Sequence, residues 1–377
     1  MSARPSFTVE YLEPVEAEVA AEPLPDEFSA SRLRRSLVVL AAVVLLVVAA
    51  VVLVPGLGSL RSRFMGAQPG WLALAAVLQL GSCGAYVLVF RGVFCRRMSW
   101  RTSTEIGLSE LAANSVFSIG GAGGLALGAW ILRRGGLTAA FIARRTVAFF
   151  LLTSLANVGF LALGGVALAT GVLNGSPGLL LGLIPAVVAA LAIALALGAR
   201  QLAGALARRS MRARLAAAAS AVGDGVDEAR RLLRTGDPAI LAGAAGYLLF
   251  DVAMLGACFA AFGNDVPPAG VLLVAYIIGQ LGSLIPIPGG IGGVDAGLIG
   301  TLVLYGVDAS DAAVAVLAYR GLLLSIPALL GLPALAVLRR RLRDEAHDIA
   351  ACAPGESVEV LGRGAVRRPT PVVRSAG

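Results

Sequence analysis

The sequence predicts an all-α polytopic membrane protein. Of its 377 residues, 58% are hydrophobic and 14% are charged, and the mean hydropathy is +0.84. Soluble domains carry about 25% charged residues, so this chain is unusually apolar. Its continuous runs of Leu, Ala and Val approach or exceed the roughly 20 residues with which a helix crosses a bilayer. A transmembrane barrel would instead show alternating segments of about ten residues, so we predict helices.

The basic charge of the chain is arranged around these apolar runs. The formal net charge is +8, and arginines cluster where the runs end. This pattern is typical of membrane topology signals and of contact with anionic lipid. No nucleic-acid recognition module accompanies the charge, so we predict no nucleic-acid partner.

The residue types that several chemistries need are scarce. A single histidine, His347, leaves little basis for a zinc site, a Ser-His-Asp triad or a histidine general base. No Walker motif is present to bind ATP. The cysteines are not at metal-ligand spacing, and we predict no structural disulfide framework among Cys83, Cys95, Cys258 and Cys352. We therefore predict no metal, no cofactor and no enzymatic activity.

Charge also orders the chain across the membrane. Residues 1–35 and 341–377 are predicted to be disordered tails around a membrane domain over residues 36–340. Both tails are predicted to be cytoplasmic, because arginines precede the first apolar run and follow the last. Six full spans are predicted, at about 37–58, 70–92, 144–172, 177–198, 238–262 and 310–338. In the segment 199–237, apolar residues recur at helical spacing among arginines. This predicts an amphipathic cytoplasmic helix on the inner leaflet, with an ordinary solvated loop as the alternative.

Two further apolar segments, 104–135 and 269–306, are interrupted by helix-breaking residues, and both contain Gly-Gly-x-Gly-Gly. The breakers are Gly120, Gly121, Gly123 and Gly124 in the first segment, and Pro286, Pro288, Gly289, Gly290, Gly292 and Gly293 in the second. Such backbone is tolerated at membrane depth only inside protein or beside a wet cavity. Breaks at corresponding positions of two halves indicate the binding site of a transporter.

The flanking charges predict that these two segments enter the membrane from opposite faces. Arginines flank the first segment at both ends, whereas the loops beside the second carry Asp308 and Asp311 and no Lys or Arg. We therefore predict two re-entrant helical hairpins that form an inverted repeat, with their glycine elements meeting near the midplane.

Ionisable residues inside apolar spans are costly and are therefore functional candidates. Arg320 lies well inside the last span, where a guanidinium could bind a lipid phosphate; an ion pair with Asp295 or Asp251 is the alternative. Asp295 follows the second break directly, as a helix cap or as a ligand for a head-group amine. Asp251 is either a buried partner or a proton site.

The first half offers a weaker set of candidates. Glu110 and Asn114 are four residues apart and share a helix face. Arg144 and Arg145 follow the first glycine cluster as Arg320 follows the second, and the alternative for Arg144 and Arg145 is a role as topology anchors. We assign Arg320, Asp295, Arg145, Glu110 and Asn114 as candidate lipid-binding residues.

Residues from about 37 to 340 resemble the membrane domain of lysylphosphatidylglycerol synthetases, the flippase-like integral membrane family. The run from Ser283 to Asp295 carries the resemblance, with Ala318-Tyr319-Arg320 and Pro327 after it. The family has a Pro-Gly-Gly-x-Gly element, then an acidic residue, then an arginine in the last span. The first segment matches less well: many members have a proline and Gly-Glu there, whereas residues 120–125 have neither proline nor acid.

The resemblance implies movement of a phospholipid, often an aminoacylated one, between leaflets. The synthetases add a soluble catalytic domain after the membrane part, and only 341–377 remain here, so we expect no aminoacylation by this chain itself. We expect a lipid or lipid-linked substrate translocase of the cytoplasmic membrane, without ATPase activity, whose partners are anionic or aminoacylated phospholipids. The alternative is a non-catalytic membrane partner of a lipid- or polyprenyl-modifying enzyme, and an intramembrane enzyme on lipid-linked sugars ranks third. The sequence leaves the oligomeric state open, with a homo-oligomer as one alternative.

Overall fold

The computed structural model describes residues 58–116, 122–170, 213–284 and 292–352, together with Thr8–Val9, Val38, Val187 and Pro369–Thr370. The described helices are α1 (Gly58–Met65), α2 (Pro69–Phe94), α3 (Trp100–Val116), α4 (Ala122–Arg134), α5 (Ala139–Ala169), α6 (Ala213–Arg234), α7 (Pro238–Ala261), α8 (Ala269–Gln280), α9 (Gly293–Leu304) and α10 (Ala309–Ala350). A 3-10 turn, Leu281–Leu284, follows α8. The two-residue strands Thr8–Val9 and Pro369–Thr370 pair antiparallel.

Helices long and apolar enough to cross a membrane confirm the predicted all-α polytopic class. Within the described ranges they are Pro69–Phe94, Ala139–Val166, Pro238–Ala261 and Ala309–Arg341. These correspond to four of the six predicted spans. The other two, at 37–58 and 177–198, lie outside the described residues apart from Val38, Gly58 and Val187, so the total of six spans stays a prediction.

Local sequence explains where the spanning helices begin. Pro69 and Pro238 occupy the first turns of α2 and α7, where a missing N–H costs no helical hydrogen bond. The Asp237 side chain accepts a 3.0 Å hydrogen bond from the Ala239 N–H and so caps α7. Arg96, just after α2, lies 3.1 Å from the other Asp237 oxygen and links the start of α7 to the end of α2.

Several interactions define one end of the helix bundle, which we call the Asp348 end. Asp348, near the end of α10, accepts hydrogen bonds from the Thr102 hydroxyl at 2.6 Å and from the Ser99 N–H at 2.9 Å. Gly135, just after α4, lies against the side chain of Ile349. The start of α3 and the end of α4 are therefore at this same end, beside the end of α10.

The opposite end of the bundle, the Asp311 end, is defined by contacts around the start of α10. Arg63 of α1 pairs with Asp311 in the first turn of α10. The N–H of Gln68, before α2, donates a 2.7 Å hydrogen bond to the Ala261 carbonyl at the end of α7. Helix α8 follows α7 by a short loop and α9 leads into α10, so the chain enters and leaves the pair α8–α9 at the Asp311 end. It enters and leaves the pair α3–α4 at the Asp348 end.

Each helix pair is packed into its own hydrophobic cluster. Phe90, Trp130 and Phe149 belong to a cluster that gathers α3 and α4 against α2, α5 and the second half of α10. Phe259 and Leu298 belong to another, in which α8 and α9 pack against α7 and the first half of α10. Helix α10 contacts both pairs and thus connects them.

A disulfide bond joins Cys95, just after α2, to Cys352, just after α10. The prediction that the cysteines form no structural disulfide was wrong for this pair. The two residues are 257 positions apart in sequence, and only the packing of α10 along the bundle brings them together. Cys83 and Cys258 are buried free thiols.

Helix α6 covers the second part of the predicted amphipathic segment 199–237. Val226, Ala229 and Leu232 are buried, and Gly225 lies against Val147 of α5. Part of the apolar face that predicted a membrane-surface helix is therefore packed on protein. Residues 199–212 lie outside the described part of the chain.

Candidate functional site

Arg320 and Asp295 form an ion pair between α10 and α9. The Arg320 Nε lies 2.9 Å from the Asp295 Oδ1, with the side chains 8% and 19% exposed. The other Asp295 oxygen accepts a 2.7 Å hydrogen bond from the N–H of Gly292, the residue before α9. Two sequence-based alternatives thus hold together, because Asp295 both caps a helix start and serves as the counter-ion of Arg320.

The backbone at this helix start requires glycine. Gly292 has a φ of +88°, in the left-handed region that favours glycine. Gly282, in the turn after α8, lies against the backbone of Gly293, where a Cβ atom would overlap the carbonyl group. This close approach seats the start of α9, and with it Asp295, on the end of α8.

Parts of both glycine elements lie beyond what the structure describes. Gly123 and Gly124 are in the first turn of α4, and Gly292 and Gly293 begin α9. The predicted breakers Gly120, Gly121, Pro286, Pro288, Gly289 and Gly290 lie outside the described residues. In the described part of the chain, the last glycines of each Gly-Gly-x-Gly-Gly element therefore lie at the start of a helix, as expected for interrupted segments.

Glu110 and Asn114 lie on one face of α3, directed at α4. Glu110 is 2% exposed, accepts a 2.7 Å hydrogen bond from the Tyr86 hydroxyl, and its carboxylate fills the space where a Cβ at Gly128 would lie. The Asn114 Oδ1 accepts a 2.8 Å hydrogen bond from the Gly124 N–H. Both predicted residues therefore hold the first helix pair together, and Glu110 is sealed from solvent.

The structure places Arg145 in a different cluster from Arg320. Arg145 donates a hydrogen bond to the Val93 carbonyl and lies 3.2 Å from the Oε1 of Glu228 on α6. Arg144, at 3.7 Å, and Arg231 also pair with Glu228. Burial of Glu228 opposes its ionisation, but the hydrogen bond from Arg231 and the three arginine charges prevail and lower its pKa. Arg145 thus fixes α6 to α5 in this arrangement.

Sequence reasoning missed a buried set of tyrosines around Asp251. The Tyr276 hydroxyl donates a 2.8 Å hydrogen bond to the Asp251 Oδ2. Tyr247 and Tyr319 also lie near the Asp251 carboxyl group. Tyrosine inside an aliphatic span was the available signal, because a buried hydroxyl needs a polar partner.

No group of three or more His, Cys, Asp or Glu side chains that could hold a metal ion occurs among the described residues. The polar side chains brought together here are suited to charge pairing and hydrogen bonding, through Arg320, Asp295, Asp251 and the tyrosines.

The fold and the site define a polytopic helical membrane protein with a charged pair and a polar cluster buried among its spans. The family model described as the lysylphosphatidylglycerol synthase TM region matches residues 38–331, and the chain belongs to this family. No curated protein matches the sequence significantly. The match covers α1 to α9 and about the first half of α10, and it relates the protein to lipid modification or transport.

Proposed function

We propose that this protein moves a phospholipid, or another lipid-linked substrate, between the leaflets of the membrane without an ATPase. The observation that carries the proposal is the Arg320–Asp295 pair, which puts opposite charges 2.9 Å apart at a helix start next to the second break. Charged side chains within a membrane span are expensive, so a pair held there supports a role in binding a charged substrate.

The chemistry of the pair suits a lipid head group that carries both charges. Arginine has five N–H donors in a planar fork, and a phosphate can bind to it bidentately. An ammonium group on the same head group would be attracted to Asp295. The ligand would thus replace one ion pair by two, which keeps each buried charge compensated during binding.

The opposed openings of α3–α4 and α8–α9 support alternating access. In the proposal these pairs are re-entrant hairpins related as an inverted repeat, one entered from each membrane face. Helix α10 contacts both and carries Arg320, so movement of either hairpin against α10 would change the access to the charged pair. Glu110 and Asn114 would maintain the first hairpin, and Arg145 would keep α6 in place.

The test is a leaflet assay in liposomes with fluorescent phospholipids. Arg320→Ala should reduce translocation at least tenfold, and Arg320→Lys should retain part of the rate because it keeps the charge but loses the fork. Arg340→Ala is the matched control, since Arg340 is exposed and lies on the same helix. All three variants must elute as the wild type does on size exclusion.

Two results would overturn the proposal. Equal lipid movement by the wild type and Arg320→Ala would remove the assigned role of the pair. A wild-type protein that moves neither phosphatidylglycerol nor aminoacylated phosphatidylglycerol faster than protein-free liposomes would remove lipid translocation itself.

A further inference from the structure

Asp251 lies within the spanning helix α7 and is 1% exposed. Its Oδ2 accepts the hydrogen bond from Tyr276 on α8, and its Oδ1 is buried with no hydrogen-bond partner. Among the described residues, no Lys, Arg or His forms an ion pair with it. This contrasts with Asp295, which lies in contact with Arg320.

The groups that face Asp251 come from each helix packed around it. Helix α2 contributes Ser82 and Cys83, α7 itself contributes Tyr247, and α8 contributes Tyr276. From α10 comes Tyr319, whose buried hydroxyl also has no hydrogen-bond partner.

The charged groups on the neighbouring parts of α10 and α5 have other ion-pair partners. Arg320 neighbours Tyr319 and pairs with Asp295. The ionisable residues of α5, which also packs on α7, are Arg144 and Arg145, and both pair with Glu228.

The hydroxyls of Tyr276 and the neighbouring Ser82 are neutral, so they supply no positive charge to compensate an ionised carboxylate in apolar surroundings. The cost of an unpaired buried charge is removed when the group takes up a proton and becomes neutral. A neutral Asp251 would still accept from Tyr276 through Oδ2 and would gain an O–H donor at Oδ1, which now has no partner.

Asp251 is also connected to both helix pairs. On one side, Tyr247 is 5.6 Å from Tyr86 between ring centroids, and Tyr86 donates its hydrogen bond to Glu110 on α3. On the other side, Tyr276 donates its hydrogen bond to Asp251, and Tyr319, which lies near this carboxyl group, immediately precedes Arg320 on α10. The polar core therefore runs from the first helix pair to the charged pair at the second.

We propose that Asp251 is a proton-binding site whose occupancy is coupled to substrate movement at Arg320 and Asp295. The coupling rests on the proposed function, whereas proton binding by Asp251 does not. A proton taken up at Asp251 changes the net charge next to Tyr319 and Arg320. A proton gradient would therefore bias the membrane face from which substrate can reach Arg320 and Asp295.

Infrared difference spectroscopy tests proton binding without any transport. The wild-type protein in lipid should show the C=O band of protonated carboxyl groups near neutral pH, with a component that is lost in Asp251→Asn. Glu110→Gln identifies the contribution of Glu110, which is also buried, and Asp308→Asn, on an exposed loop, is the control that should leave the band unchanged. A band unaltered by Asp251→Asn would overturn the proposal.

Liposomes with an imposed pH gradient test the coupling. The wild-type translocation rate should change with the direction of the gradient. Asp251→Asn should lose this response while it still moves lipid in the absence of a gradient, and Tyr276→Phe should weaken the response. A gradient response in Asp251→Asn equal to that of the wild type would refute coupling. Absence of lipid movement by the wild type, with the Asp251 band present, would refute the proposed function and leave proton binding supported.

Discussion

Asp348 accepts a 2.6 Å hydrogen bond from the hydroxyl of Thr102, and this contact joins the end of the longest described helix to the start of the first helix pair. The Ser99 N–H donates to the same carboxylate oxygen. These two hydrogen bonds hold the start of α3 on the end of α10, and Gly135, just after α4, lies against the neighbouring Ile349.

This contact predicts a loss of stability in acid. Burial opposes ionisation of Asp348, but the hydrogen bonds from Thr102 and Ser99 and the charge of Arg91 prevail and lower its pKa. A carboxyl group with a lowered folded-state pKa stabilises the protein above its unfolded pKa, and this stability is lost as the pH falls through the folded value. Asp348→Asn should lower the unfolding free energy by about 1–3 kcal/mol at neutral pH, and the difference should vanish in acid. Thermal unfolding in detergent across pH measures it, and a pH-independent difference would contradict the prediction.

Glu228 should hold α6 on α5 through its arginine partners. Glu228→Gln removes the charge that compensates Arg144, Arg145 and Arg231. We expect faster amide hydrogen exchange over residues 223–234, with exchange in α9 unchanged. The lowered pKa of Glu228 predicts the same release of α6 in the wild type as the pH falls through its folded value. Asp227→Asn, a neighbouring exposed carboxylate, is the control. Equal exchange in Glu228→Gln and the wild type would show that apolar packing alone holds α6.

Gly128 should be intolerant of even one methyl group. A Cβ at this position would overlap the Glu110 carboxylate, which is fixed by Tyr86. Gly128→Ala should therefore destabilise the protein by about 1–3 kcal/mol. Gly300→Ala, on a face of α9 with no atom within 4 Å, should be neutral or slightly stabilising. In the double variant Gly128→Ala with Glu110→Ala, part of the loss should be recovered, because the overlapping group is gone. Simple additivity of the two losses would argue against a direct clash.

The opposed helix pairs predict opposite labelling of two exposed positions. Arg97 lies beside the start of α3, and Asp265 lies in the loop before α8. With the native cysteines replaced, Arg97→Cys should react with a membrane-impermeant maleimide only from the predicted cytoplasmic side, and Asp265→Cys only from the other side. Labelling of both from one side would rule out entry of the two pairs from opposite faces.

The spans were predictable because they depend on local signals. Long apolar runs bounded by proline, glycine and arginine predict the start and end of α2, α5 and α7 to within about five residues of the bounds in the structure. The Arg320–Asp295 ion pair was also predicted, as one alternative for Arg320. Two opposite charges inside apolar sequence have few other ways to be compensated.

Tertiary partners that are distant in sequence could not be predicted in the same way. Arg145 was placed by its spacing from the glycine cluster, whereas its contacts are made with Glu228, which belongs to a helix that hydropathy does not orient. Tyr247 lies four residues before Asp251 on α7, but Tyr276 and Tyr319 come from α8 and α10, and no sequence spacing relates these two tyrosines to Asp251. Cys95 and Cys352 are a further case, because their proximity depends on the length and direction of α10.

The Cys95–Cys352 bond has a topological consequence. It closes the polypeptide into a covalent ring that contains α3 to α10, and leaves α1 and α2 on the tail outside the ring. A single proteolytic cut anywhere within the ring would open it without releasing a fragment, and the two pieces would separate only after reduction. In a reducing compartment the disulfide would be broken and the chain would be open. The redox state of the surroundings would therefore decide whether Arg320 and Asp295 belong to an open chain or to a closed covalent ring.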